Sequence, residues 1–313
     1  MIKYICLTGI VLLQFNLINK LWAQTPTDAI MMGDGQICIA AIYSRESWDE
    51  YWEGTLLREN GNIGTFTRQS IMPMVALGLG ERINVIAVLP YVFTKSDGGY
   101  LQGAKGIQDV GLWLKAKAID LHTESGDFTV HATAGVTLPV SDYLEDYAPY
   151  SIGMGCADLS LRGILQYKLH SGPFLRGQAG YHLRGNAKIE RDYYYTTHGV
   201  YSDEVDMPNA VTYAITLGSW FFNDGLRVEA IYDGMNTLGG FDIRRQDAGF
   251  PSNKMVFSRI GGGFQIYNDG FGLLGSIQQV LTGRNVGKSL MYSVGLTYQF
   301  GLWNKTETEV ITN

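Results

Sequence analysis

The chain has 313 residues, 30 acidic against 24 basic for a net charge of −6, with 39 glycines and 19 tyrosines. The acidic balance gives no footing for nucleic-acid binding, and the scarcity of cysteine excludes a disulfide-stapled secreted scaffold. Mean hydropathy close to zero, with no run of about 18 apolar residues beyond the N-terminus, excludes a helical membrane protein but suits strands that alternate apolar and polar positions.

Lys3, the apolar stretch from Tyr4 to Leu17 and the small residue closing Leu21-Trp22-Ala23 read as a secretory signal peptide over residues 1–23, so the mature chain starts near Gln24. Cys6 opens the apolar region instead of directly following it, which argues against lipidation. Residues 24–34 form a short periplasmic segment. Period-2 segments bounded by turn residues then predict strands at Gly35–Arg45, Phe66–Leu79, Arg82–Lys95, Gln108–Ile119, Phe128–Val140, Cys156–Leu169, Pro173–Arg184, Asn209–Phe222, Leu226–Met235, Val256–Tyr267, Phe271–Leu281 and Leu290–Phe300.

The connections alternate in length. Gly80-Glu81, His122–Asp127, His170-Ser171-Gly172, Asn223-Asp224-Gly225 and Asn268-Asp269-Gly270 are short, whereas 46–65, 96–107, 141–155, 185–208, 236–254 and 282–289 are longer and polar. That rhythm predicts an all-β fold: a single antiparallel transmembrane β-barrel of about twelve strands over residues 35–300, with short periplasmic turns and long extracellular loops. Residues 301–313 are a periplasmic tail. Splitting the barrel would leave open sheet edges in lipid, so one domain is expected.

Leu159, Leu161, Leu165, Tyr167 and Leu169 share one face of their strand, while Asp158, Ser160, Arg162, Gln166 and Lys168 share the other. Two-residue Asp-Gly turns would pair Asn223 with Leu226 and Asn268 with Phe271, keeping apolar faces aligned and Arg227 and Glu229 out of lipid. The last strand ends at Phe300, an aromatic terminus that resembles the signal read by the barrel-assembly machinery. Cys38 and Cys156 fall near opposite rims and are expected to be free.

Inward positions carry Lys115, Lys117, Arg162, Lys168, Arg176, Arg184, Arg227 and Arg259 against Asp109, Asp158, Glu229 and Asp233, a net basic wall. Two readings are open: a lumen favouring anionic or hydrogen-bonding solutes, or a ladder of cross-strand ion pairs filling a narrow barrel. Asp158 opposite Arg184 near the outer rim suits the ladder. His182 and Trp113 also face inward, Trp113 as a stacking surface or as filling. Trp48, Tyr51, Trp52, Tyr143, Tyr147, Tyr193, Tyr194 and Tyr195 cluster with acidic residues in the outer loops, where they could capture a solute. No spacing matches a calcium loop, and no cofactor or metal is expected. A membrane-embedded enzyme would need a nucleophile and base that meet; His131 and His182 are the candidate bases, but neither lies in a serine-hydrolase motif.

Gly106-Ile107-Gln108-Asp109-Val110-Gly111, followed by Leu112-Trp113-Leu114-Lys115, resembles the Gly-Ile-Gly-Asp-Val motif of the MetA-pathway phenol-degradation family, which is akin to FadL-type outer-membrane transporters. Leu89-Pro90-Tyr91 before it and Gly135-Val136-Thr137-Leu138-Pro139-Val140 after it follow in the same order; Gln108 stands where the second Gly is usual. The resemblance implies passive or gated uptake of small, often aromatic or apolar, molecules. FadL has a long N-terminal plug, whereas here only residues 24–34 precede the first strand, so short gating is the most that resemblance implies. The residues alone leave a structural or surface-binding barrel as the alternative. Expected partners are outer-membrane lipid and lipopolysaccharide, the assembly machinery and a small solute.

Overall fold

The computed structural model describes residues 24–245 and 247–302; the predicted signal peptide and residues 303–313 of the predicted tail lie outside the described residues. Twelve antiparallel strands form the wall: β1 Gln36–Trp48, β2 Phe66–Leu79, β3 Ile83–Val88 and Tyr91–Ser96, β4 Lys105–Ile107 and Val110–His122, β5 Gly126–Leu138, β6 Asp158–Leu169, β7 Pro173–Arg184, β8 Ala210–Phe221, β9 Leu226–Thr237, β10 Val256–Asn268, β11 Phe271–Arg284 and β12 Leu290–Gly301. Each pairs with its sequence neighbours, and β1 pairs with both β2 and β12. The sheet therefore closes on itself and has no free edge in its wall, as spanning a bilayer with strands requires.

Alternation supplies the two faces. Leu161, Leu165, Ile215, Leu217, Ile277 and Leu296 are among the large apolar side chains exposed on the outside. Lys115, Asp158, Arg176 and Arg227 are buried inside. An apolar outer belt around a polar, filled interior is the inverse of a soluble barrel and defines a transmembrane one.

Two expected strands are interrupted. β3 breaks at Leu89-Pro90, because Pro90 has no N–H for the ladder; Leu89 N donates to Pro73 O at 3.2 Å and Gln108 N to Pro90 O at 2.8 Å, which patches the wall. β4 breaks correspondingly at Gln108-Asp109, runs on to His122, and takes a bulge between Lys117 and Ile119. The extra residue keeps Lys117 and Asp120 inside while Ile119 stays outside.

Asn268 pairs with Phe271 as expected, with Asp269 and Gly270 at φ 47° and 82°, a type I′ turn. The other turn differs. Phe221 pairs with Leu226, and Phe222, Asn223 and Asp224 all take positive φ, so the loop has four residues instead of two. A shift of two keeps parity, so Leu217 still faces out and Arg227 in.

Residues 24–34, expected in the periplasm, instead run into the barrel. Gly35 N donates to Gly78 O at the short-turn end, and a Cβ on Gly78 would stand 2.0 Å from Gly33 O, so β2 needs glycine there. Ile30 and Met32, too apolar to sit in water, then join buried clusters with Phe174 and Trp220, and with Ile42, Met74 and Ile86.

Replacing Leu165 with Arg on the outer belt should destabilise the barrel by roughly 2–4 kcal/mol, the usual cost at mid-bilayer. Reversible unfolding in lipid vesicles measures this; a change within half a kcal/mol, about the size seen at an ordinary surface site, would mean that face does not meet lipid.

Candidate functional site

The lumen is organised around a buried ammonium. Lys115, on β4, is fully buried, and its Nζ donates to Asp28 Oδ1 at 2.7 Å, Ile30 O at 2.8 Å and Thr25 O at 3.1 Å. All three of its donors are used. Asp28 is shaped to accept: its Oδ1 also takes Ile30 N at 2.9 Å, and its Oδ2 takes Thr25 Oγ1 at 2.8 Å. Thr133 Oγ1 adds a bond to Pro26 O at 3.2 Å, and Asn84 brackets the Met32 backbone. Residues 24–32 are thus a plug, bonded through polar contacts to β3, β4 and β5.

The remaining inward charges form a ladder. Arg176 and Arg227 share Glu229 at 3.3 and 3.6 Å, Arg259 meets Asp233 at 2.5 Å, Arg184 meets Asp158 at 3.3 Å, and Lys168 meets Asp224 at 3.0 Å. Lys117 pairs with Asp120. The basic excess read along the strands is therefore offset by acids off the strands' expected inner face, Asp28 and Asp224 among them. Arg162 differs: its one hydrogen bond runs from Nη1 to Gln178 Oε1 at 3.1 Å, and among the described residues it has no carboxylate partner.

Above the plug lies a cavity of about 230 Å³, bounded by Pro26 and Thr27 below, Met154 above, and Trp113, Arg162, His182 and Arg184 on the wall. Its roof is the loop between β5 and β6. Asp109 takes the phenol proton of Tyr143 and, through Oδ2, Met154 N at 3.3 Å; Gly155 N donates to Tyr143 Oη at 2.7 Å; Arg68 Nη2 donates to Ile152 O at 3.0 Å. Burial, and then the adjoining Asp109, push the Tyr143 phenol well above its ordinary range, so it remains a donor. Tyr150 and Ile152 are buried beneath this roof.

The aromatic outer-loop residues divide between packing and exposure. Trp48 contacts Tyr51 and Phe66 with ring centroids 6.0 and 5.2 Å apart, Tyr147 stacks on Tyr150 at 5.1 Å, and Tyr194 lies 5.3 Å from Phe250. Trp52 is buried, whereas Tyr193 and Tyr195 are exposed at the rim, with Arg244 4.4 Å above the Tyr195 ring. A further cleft of about 330 Å³ lies beside Tyr194, Phe241 and Ser252.

Among the described residues neither histidine is hydrogen-bonded to a hydroxyl or thiol. His131 is buried with both ring nitrogens unpartnered among the described residues. His182 Nδ1 lies 3.0 Å from Asp158 Oδ1, but Ser160, directly across on β6, donates to Gly135 O at 3.3 Å instead.

Strand-by-strand reading missed the plug and the roof. The signal for the plug was an unmatched lysine among the inward positions and one aspartate, Asp28, in the short segment ahead of the wall. For the roof it was Asp109, an acid placed at a break in its strand.

A closed barrel, an internal segment and a roofed cavity define a single-chain transmembrane barrel with residues 24–32 seated inside it. No family profile and no curated protein matches the chain. Among solved structures it is similar to an outer membrane channel from Pseudomonas putida F1, at 13% identity over 89% of this chain and 100% of that one, with a TM-score of 0.71. The translocator domain of the autotransporter NalP from Neisseria meningitidis scores 0.43 at 13% identity, covering 86% and 90% of the two chains. The CymD monoaromatic hydrocarbon channel scores 0.40 at 10%, covering 87% and 90%. At these identities the likeness to the Pseudomonas channel is one of fold. The resemblance to the phenol-degradation family rests on the quoted motifs.

Asp28→Asn leaves the Lys115 ammonium buried without a counter-charge, which weakens plug docking by about 3–5 kcal/mol. Mean single-channel conductance in planar bilayers should rise, and pairing Asp28→Leu with Lys115→Met should bring it back towards the unmutated level. Conductance unchanged in Asp28→Asn would show that this pair does not hold the plug.

In the outer loops, Arg284 Nη2 lies 2.6 Å from Asp242 Oδ2, and Asn285 Nδ2 donates to Asp242 Oδ1 at 2.9 Å. The Arg284 guanidinium, helped by Asn285, holds the Asp242 carboxyl below the usual aspartate range. A depressed carboxyl stabilises the loop above the free aspartate range and loses that contribution as pH falls through its lowered value. Carbon-detected NMR titration should give a midpoint below that of free aspartate, and Arg284→Gln should move it up; equal midpoints would remove the pairing.

Proposed function

We propose that the chain is an outer-membrane channel for small solutes, closed at rest by its N-terminal segment and opened when that segment leaves its seat. The observation that carries this reading is the cavity between plug and roof, lined by charged and aromatic groups. A barrel serving only as a wall gains nothing from such a cavity, since interiors otherwise pack densely. Exposed Tyr193 and Tyr195 present amphipathic rings for first contact at the rim. The roof is held by hydrogen bonds, and the plug by hydrogen bonds, the buried Lys115–Asp28 pair and the apolar contacts of Ile30 and Met32; the reading invokes no coupled energy source.

Under this reading the short turns face the periplasm, the apolar belt contacts outer-membrane lipid, the loops meet lipopolysaccharide, and the aromatic end of β12 is read by the assembly machinery. A second reading is favoured by the near-complete charge ladder and by the apolar cluster around Ile30 and Met32: a closed structural barrel that binds envelope components.

Liposome uptake by refolded protein separates the two, with the unmutated chain compared to one lacking residues 24–32. The channel reading expects small solutes to enter above the rate of empty liposomes, and several-fold faster once the plug is gone. No flux through either form would leave the structural barrel.

A further inference from the structure

We propose that the roofed cavity is a binding site for a small aromatic carboxylate, with the carboxylate on Arg162 and the ring on Trp113. This inference names the solute class of the channel proposed above and rests on that reading for its role in transport, though not for binding itself.

Charge comes first. Two guanidiniums, Arg162 and Arg184, line the cavity with one carboxylate, Asp158, so the guanidiniums outnumber the carboxylate by one. Arg184 and His182 both lean on Asp158, at 3.3 and 3.0 Å, so the unbalanced charge belongs to Arg162. A guanidinium has five N–H donors, and here one is engaged, with Gln178. A carboxylate, which accepts two parallel guanidinium bonds, is the ligand group that matches the remaining donors of Arg162, which lines the cavity.

Wall glycines make room for both contacts. A Cβ on Gly180, opposite Arg162 on β7, would stand 3.3 Å from Arg162 Cζ and 2.7 Å from Thr212 Oγ1, so glycine there opens the space the guanidinium occupies. On the other side, a Cβ on Gly111 or Gly135 would stand 2.0 or 1.9 Å from the Trp113 ring. The indole therefore lies close against bare backbone; it packs against the apolar cluster that includes Met32 and Ile86 and also lines the cavity, where it offers an occupant an aromatic surface.

Volume sets the size. An apolar cavity of about 150 Å³ holds benzene, so about 230 Å³ takes one ring plus a carboxylate and excludes a second ring. With Pro26 and Thr27 as its floor, an occupant rests directly on the plug.

Isothermal titration of the detergent-solubilised full chain tests the site, with benzoate, benzyl alcohol and benzylamine as probes of one size and differing charge. Benzoate is expected to bind about tenfold or more tighter than benzyl alcohol, the span of a charge-assisted hydrogen bond, and benzylamine more weakly than either. Arg162→Gln should abolish the benzoate preference and leave benzyl alcohol unchanged. Benzoate binding no tighter than benzyl alcohol, a comparison that needs no variant, overturns the proposal, as does a preference untouched in Arg162→Gln. Benzoate that binds as expected but does not enter liposomes keeps the site and removes the channel reading; liposome uptake without any charge preference in binding does the reverse.

Discussion

Hydrocarbon cannot hydrogen-bond a peptide group, and the rest of this structure follows from that. Every wall strand must find partners on both sides, so β1 takes β12 as well as β2 and the sheet becomes a ring. Twelve strands enclose a lumen that side chains nearly fill. The inside of the ring then behaves as a protein interior, where a charge without a partner is expensive. Hence the ladder of ion pairs, and hence the need for Asp28: among the described residues Lys115 forms no ion pair with the wall, and its counter-charge is brought in by a segment that belongs to no strand.

Along the axis the interior forms three layers with different physics. At the short-turn end, Ile30, Met32 and the side chains around them make an apolar core like that of a soluble protein. At mid-height sits the cavity, lined by Arg162 and Trp113 among others. At the long-loop end, Asp109 and Arg68 tie down the loop carrying Tyr150 and Ile152. The motif around Gly106–Gly111 takes part in two of these layers, through Asp109 in the roof and Gly111 under the indole.

The wall was legible because its information is local. Alternation with period 2 at Leu159–Leu169 or Tyr292–Phe300 assigns faces without knowledge of any partner strand. The same property hid the error at Phe222–Gly225, since slipping a hairpin by two leaves every side chain on its correct face. Pro90 announced the break in β3, but its counterpart at Gln108-Asp109 is visible only once the two strands are side by side. Segment 24–32 has no periodicity, and its polar contacts with the wall lie far along the chain, at Asn84, Lys115 and Thr133, so its local sequence did not show that it turns inward. Among the site residues the inward charges were legible as a set. That Arg162 has no ion-pair partner among the described residues was not, because it depends on which acids arrive from turns and plug.

Both the plug and the closing seam involve β1. Residues 24–34 lead directly into it, while its second neighbour, β12, is the last strand of the wall. Until β12 is in place the sheet is an open trough, and Lys115 on β4 can meet Asp28 from the open side without threading. In the closed barrel the same strand, β1, joins the segment seated in the lumen to the line along which the wall closes.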